Sequence, residues 1–298
     1  MNIAITGANG FLGSALENYY RDSDHNLLLL SKHSDKKRDV KGIDLNDLNK
    51  LTKVFATFKP NVVIHCAGLV NLTRDYQVGI ECIRSNTSGT FTLLESLKDI
   101  KGVKIIYIST EEIYGSNLLP FTEKLSPDPP SPYAITKLAG ENFCRLYSNL
   151  GAVELIILRV GTMYGPGIPE NKYFSQIIKK ALTGDDILMN SGMKKRDYVY
   201  VGDVVEAVDK CLKYKLTKFY EIINIGGGKE ISLIDFVNTI LSISGSKSKV
   251  VKGAIEERVN EADNWLMDIT KAKQILNWSP NVDIDNGLKN TIKSLIDN

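Results

Sequence analysis

The sequence predicts a doubly wound α/β fold, a parallel sheet with helices on both faces, joined to a smaller C-terminal α/β portion. Three observations carry this: short apolar runs of strand length, amphipathic stretches between them, and a glycine-rich turn directly after the first run. The runs lie at 2–6, 26–31, 62–67, 104–109 and 154–160. The stretches between them are long enough for the crossover helices that parallel neighbours need. No internal repeat or low-complexity segment interrupts the alternation.

The first run leads into Thr6-Gly7-Ala8-Asn9-Gly10-Phe11-Leu12-Gly13, with GxxGxxG spacing. Gly7 suits a tight turn, Gly10 a close approach of backbone to a pyrophosphate, and Gly13 close packing of helix on strand. The helix that opens there offers free N–H groups and partial positive charge to phosphates. Strand, turn and helix in this order predict a dinucleotide site.

The second run ends at Ser31-Lys32-His33, where a carboxylate would bond a ribose 2′-hydroxyl, and no acid follows until Asp35. A hydroxyl and a lysine suit a 2′-phosphate, so NADP(H) is favoured. NAD(H) is the alternative, with Lys32 in solvent and Asp35 on the ribose. The basic run Lys36-Lys37-Arg38 reads as a solvated loop and receives no role. Asp44-Leu45 suits either a contact to an adenine amino group or, through Asp44, a helix cap.

The fourth run is followed by Thr110, and then Pro120, Pro127, Pro129, Pro130 and Pro132 mark an irregular loop. Loops of that length in a compact domain tend to be functional. Tyr133 and Lys137, four residues apart, share one helix face. A tyrosine is a poor base near neutral pH, but an adjacent ammonium lowers its pKa, which predicts proton transfer by Tyr133. Thr110, at a strand's C-terminal end, is placed to bond the same oxygen.

After the fifth run, 165–169 is a clear break, and helix-like stretches follow at 203–213, 233–242, 270–276 and 284–296. The expected division is a dinucleotide-binding Rossmann domain at 1–164, to which 198–225 returns. A substrate-binding portion is expected at 165–197 and 226–298.

Composition narrows the function classes. With 37 basic against 35 acidic residues, bulk charge gives no reason to expect a nucleic-acid or membrane partner. Cys66, Cys82, Cys144 and Cys211 are widely spaced and unclustered with histidine, so no metal and no disulfide framework is expected. The first apolar stretch is short and lacks a basic leader, so the expectation is a soluble, cytoplasmic protein.

On these motifs the chain resembles the extended short-chain dehydrogenase/reductase family, and within it the nucleotide-sugar epimerases, dehydratases and reductases. The resemblance includes TGANGFLG, His65-Cys66-Ala67-Gly68, Asn86 in SNTSGTFTLLE, STEEIYG at 109–115 and YAITK at 133–137. It continues through RVGTMYGPG at 159–167, RDYVYVGD at 196–203 and NIGGG at 224–228. It implies Thr110, Tyr133 and Lys137 as the catalytic set. Cofactor contacts are implied from Gly7, Asn9, Gly10, Phe11, Leu12, Gly13, Cys66, Ala67, Gly68 and Asn86. Contacts to a nucleotide-diphosphate sugar are implied from Thr162, Arg196, Glu257 and Arg258.

Glu111 and Glu112 resemble the acidic pair of 4,6-dehydratases, and elimination of water needs one acid and one base. A turn-capping role explains Glu111 equally well. The tail, with 253–261, Asp268 and 276–280, resembles short 4-ketoreductases that make deoxyhexoses such as CDP-abequose. The leading expectation is therefore reduction of a 4-keto-6-deoxy sugar nucleotide at C4. A 4-epimerase or 4,6-dehydratase with tightly bound NAD is the alternative, and a non-catalytic dinucleotide sensor a distant one. By resemblance, segments 86–97 and 133–149 form a homodimer through a four-helix bundle.

Overall fold

The computed structural model of the protein describes residues 1–257 and 261–297; Arg258, expected at the substrate, lies outside them. The first half runs β1 (Asn2–Thr6), α1 (Phe11–Tyr20), β2 (Asn26–Ser31), β3 (Lys41–Gly42), α2 (Leu48–Phe58) and β4 (Val62–His65). It continues with α3 (Tyr76–Cys82), a π-helical turn (Ile83–Ser88), α4 (Gly89–Leu97), β5 (Lys104–Thr110) and a 3₁₀ turn (Glu111–Tyr114). Then come α5 (Pro132–Asn149) and β6 (Glu154–Val160). The second half adds β7 (Thr162–Tyr164), α6 (Tyr173–Thr183), β8 (Ile187–Leu188), β9 (Lys195–Tyr200), α7 (Val201–Lys213) and β10 (Tyr220–Ile225). It closes with β11 (Glu230–Ser232), α8 (Leu233–Ser244), β12 (Val250–Val251), α9 (Thr270–Leu276) and α10 (Ile284–Ile296).

Among the described residues, seven strands form one parallel sheet in the order β10-β6-β5-β4-β1-β2-β3. Alternate side chains separate its two faces, as the strand period requires. Ile3, Ile5, Ile106 and Ile156 pack under α1, α7 and α9. Ala4, Leu30, Ile105 and Ile157 pack under α2, α4 and α5. The chain leaves β1 for β2 on one side and returns to β4 on the other, which makes the carboxyl end of β1 and β4 a topological switch point.

The elements end for local reasons. Ser131 caps α5, its hydroxyl accepting from the Ala134 N–H at 3.1 Å, with Pro132 in the first turn. At the far end of α7 the buried Lys104 ammonium donates to the carbonyls of Cys211, Leu212 and Tyr214, at 3.3, 3.3 and 2.6 Å. It thereby satisfies acceptors that the helix leaves open.

A second, three-stranded sheet, β11-β9-β7, and helices α6, α8 and α10 enclose a separate cluster that includes Tyr164, Ile177, Tyr198, Phe236 and Leu288. Asp197 on β9 holds this portion together. Its fully buried carboxylate accepts from the Gly228 N–H at 3.2 Å, the Met267 N–H at 3.0 Å and the Gly227 N–H. Burial pushes its pKa up to about 6 even against these three donors. No helix among the described residues is long and apolar enough to cross a membrane.

Replacing Asp197 by Ala leaves the buried Met267 N–H and the Gly227 and Gly228 N–H groups without their acceptor. Urea unfolding is expected to show a loss of about 3 kcal/mol or more, and an unchanged midpoint would contradict the tie.

Candidate active site

The residues singled out by sequence gather at the carboxyl edge of the large sheet. Gly7 has φ of +71°, and a Cβ there would lie 2.7 Å from the Ala67 nitrogen, so only glycine lets the β1 and β4 loops meet. A Cβ on Gly13 would overlap the Gly7 carbonyl oxygen. Gly13 therefore packs the helix on the glycine turn itself rather than on the strand. Gly10 caps α1 with no side-chain hydrogen bond and no acid in the first turn, which leaves the helix N-terminus suited to an anionic diphosphate. Asn9 and Gly10 are exposed, Phe11 is half-buried, and Leu12 belongs to the core, so Leu12 can offer only its backbone.

The loop after β4 begins two residues earlier than the predicted strand end, because Cys66 and Ala67 leave the sheet to lie against Gly7. The buried Asn86 amide clamps that loop. It accepts from the Leu69 N–H at 2.7 Å and donates to the Leu69 carbonyl and the Thr136 hydroxyl, both at 3.1 Å. Gly68 then fits beside Lys137, whose Nζ would lie 3.9 Å from a Cβ at that position.

Thr110, Tyr133 and Glu112 come together. The Tyr133 hydroxyl is hydrogen-bonded to Thr110, and Thr110 Oγ1 accepts from the Glu112 N–H at 3.2 Å. Thr110, not Glu111, thus caps the short turn. Burial, and then the charge of Glu112, raise the Tyr133 pKa well above its ordinary value, while Thr110 opposes them. This corrects the expectation that Lys137 lowers it. The Lys137 ammonium sits 4.1 Å over the Tyr107 ring, and burial pushes its own pKa down to about 8.

The two glutamates diverge. Glu112 Oε1 accepts from Ser131 Oγ at 2.6 Å, and Glu112 lines the cleft with Leu72, Arg74, Pro130, Glu261 and Trp265. Glu111 turns the other way, where its Oε1 accepts from the Thr162 hydroxyl at 2.8 Å and its buried Oε2 has no partner. Burial and the nearby Asp197 push its pKa well above the usual carboxylate range.

The remaining predicted residues are more scattered. Arg196 stacks 4.2 Å over the Trp265 ring and pairs with Glu261 at 2.8 Å. Glu257 accepts from Asn190 and Ser191 and tethers the 190–192 turn. Ser31 ends β2 and Lys32 is exposed beyond it. Asp44 does not cap α2; it accepts from Asn46 and pairs with Arg84 at 3.1 Å, while Asp47 is the cap. Leu45 packs against Gly89.

Arg38, given no role above, donates to the Ala8 carbonyl at 2.9 Å and pairs with Glu17, so it braces the glycine turn. Tyr107 and Trp265 were likewise missed. The position of Tyr107, three residues before Thr110 and facing the α5 side of the sheet, was the available signal for its place under Lys137.

The unfolded chain holds the Lys137 proton up to its ordinary 10.5, the folded chain only to about 8, so stability rises with pH between those values. Lys137→Met is expected to melt above the parent near neutral pH, with the gap closing from about 8 to 10.5. A gap that does not vary with pH would rule the buried charge out.

Residues 3–226 match the model of the NAD dependent epimerase/dehydratase family. The UDP-glucuronate 4-epimerase of Thermodesulfobacterium geofontis is 34% identical over 259 residues, covering 84% of this chain and 77% of that one. A crystal structure of the Bacillus cereus UDP-glucuronic acid 4-epimerase, in complex with UDP-glucuronic acid and NAD, superposes with a TM-score of 0.92 at 28% identity. It covers 100% of this chain and 99% of that one. The Thermotoga maritima UDP-glucose 4-epimerase with UDP-glucose gives 0.93 at 26% identity, again over 100% and 99%. The chain therefore belongs to the NAD dependent epimerase/dehydratase family and is an enzyme of the extended short-chain dehydrogenase/reductase class.

Proposed function

We propose that this enzyme is a 4-epimerase of a UDP-linked sugar that works with a retained NAD. The observation that carries this reading is the divergence of the acidic pair. With Glu111 turned onto Thr162, only Glu112 lines the cleft beside Tyr133, which leaves one carboxyl there where a dehydratase uses a pair. The UDP-glucuronate and UDP-glucose 4-epimerases among its relatives support the same reading.

In this reading 1–164 and 198–225 hold the cofactor, and 165–197 and 226–298 cover the sugar nucleotide. The glycine turn cradles the diphosphate, and Cys66 to Gly68 with Asn86 line the nicotinamide side. When bound, NAD supplies reversible hydride transfer. Tyr133 moves the proton at the sugar hydroxyl, Thr110 shares that oxygen, and Lys137 holds the ribose. Thr162, Arg196 and Glu257 face the substrate. Four unpaired cysteines suit a reducing cytoplasm.

The second reading is the reductase suggested by the tail of the chain, and Ser31 and Lys32 at the end of β2 favour NADPH for it. Denaturing freshly purified protein separates the two. Stoichiometric NAD is expected, and an empty site that prefers NADPH would favour the reductase. With UDP-glucuronate and no added cofactor, proton NMR is expected to show the 4-epimer accumulating. Tyr133→Phe should slow this by at least about a hundredfold with NAD still bound, and unchanged turnover would remove Tyr133 from the chemistry.

We also propose a homodimer through α4 and α5. Phe91, Ile135 and Leu146 are 43, 53 and 49% exposed on these helices, an apolar face that a second copy would cover. Light scattering is expected to give twice the chain mass, and Phe91→Glu with Ile135→Glu a monomer. A monomeric parent would exclude this interface.

A further inference from the structure

Lys172 stands immediately before α6, at the entrance to the C-terminal portion. Its Nζ donates to the Val70 carbonyl at 3.4 Å, on the loop that leaves β4. That loop borders the reaction centre on both sides of Val70. Gly68 lies against Lys137, and Leu72 and Arg74 line the cleft with Glu112. Lys172 therefore ties the start of α6 to the loop whose Gly68, two residues before Val70, lies against the catalytic lysine.

Its charge has no local counter-ion. No carboxylate pairs with it among the described residues, and Glu170, the nearest acid in sequence, is committed to Lys179 at 2.6 Å. Burial alone acts on its pKa, downward, with no anion opposing it. A half-buried ammonium whose partner is one carbonyl is a poor structural tie and a good recognition group, because a ligand anion gains the whole pairing.

Position decides which anion. Arg196, which the reading above assigns to the substrate, lies on β9 paired with Glu261 and stacked on Trp265. Lys172 is instead bonded to the loop whose Gly68 lies against the catalytic lysine, on the side of the molecule where the sugar must react. Resting on the UDP-sugar reading above, we propose that Lys172 selects a sugar nucleotide whose ring bears a carboxylate, a hexuronate in preference to a neutral hexose. The ammonium meets the C6 carboxylate, and a hydroxymethyl group in its place leaves the charge as it is in the free protein.

Calorimetric titration of the NAD-loaded protein with UDP-glucuronate, UDP-glucose and UDP tests this. UDP-glucuronate should bind the parent more tightly than UDP-glucose. Lys172→Met should weaken UDP-glucuronate by about tenfold or more and leave the other two unchanged, and Lys172→Arg should restore most of the loss. An equal loss for all three would assign Lys172 to the nucleotide and overturn the proposal, as would no loss for any. A parent that binds both sugars equally overturns the selection while the UDP-sugar reading stands. A parent that binds UDP but neither sugar overturns both.

Discussion

The Asp197 carboxylate is the tie on which the C-terminal portion depends. Its three N–H donors come from the turn between β10 and β11 and from the strand-like segment at Met267. A shift of either segment breaks bonds to the buried carboxylate, which favours one arrangement of the small sheet over the large one. The same charge reaches Glu111 and, after burial, raises the pKa of that carboxyl. A structural anchor thus sets part of the electrostatic environment of the acidic pair.

What was legible in the sequence follows from what is local. Five of the parallel strands, the glycine turn and α9 and α10 are written in short-range periodicity and turn chemistry, and all but the end of β4 sit within a residue of where those patterns place them. The errors fall where two solutions lie close together in sequence. Asp44 and Asp47 are both suitable caps, and only the fold shows that Arg84, forty residues on, claims the first.

The site was less legible because it depends on pairings between distant elements. Four-residue spacing correctly puts Tyr133 and Lys137 on one helix. It says nothing of Tyr107, thirty residues upstream, which takes the ammonium onto its ring. Nor does STEEIYG reveal that its glutamates point in opposite directions, since that is settled by Thr162 on β7 and by Ser131 at the start of α5. Family resemblance located the chemistry; the divergence of two adjacent side chains separates its members.

The π-helical turn at Ile83–Ser88 adds one residue to what would otherwise be a plain helix from α3 to α4, and Asn86 sits within it. Such a turn can be gained or lost by a single-codon insertion without disturbing either flank. Removing it would rotate Asn86 away from Leu69 and Thr136, and the loop that carries Gly68 would lose its clamp while the sheet stayed intact. The architecture thereby leaves a point at which evolution can retune the catalytic loop independently of the scaffold.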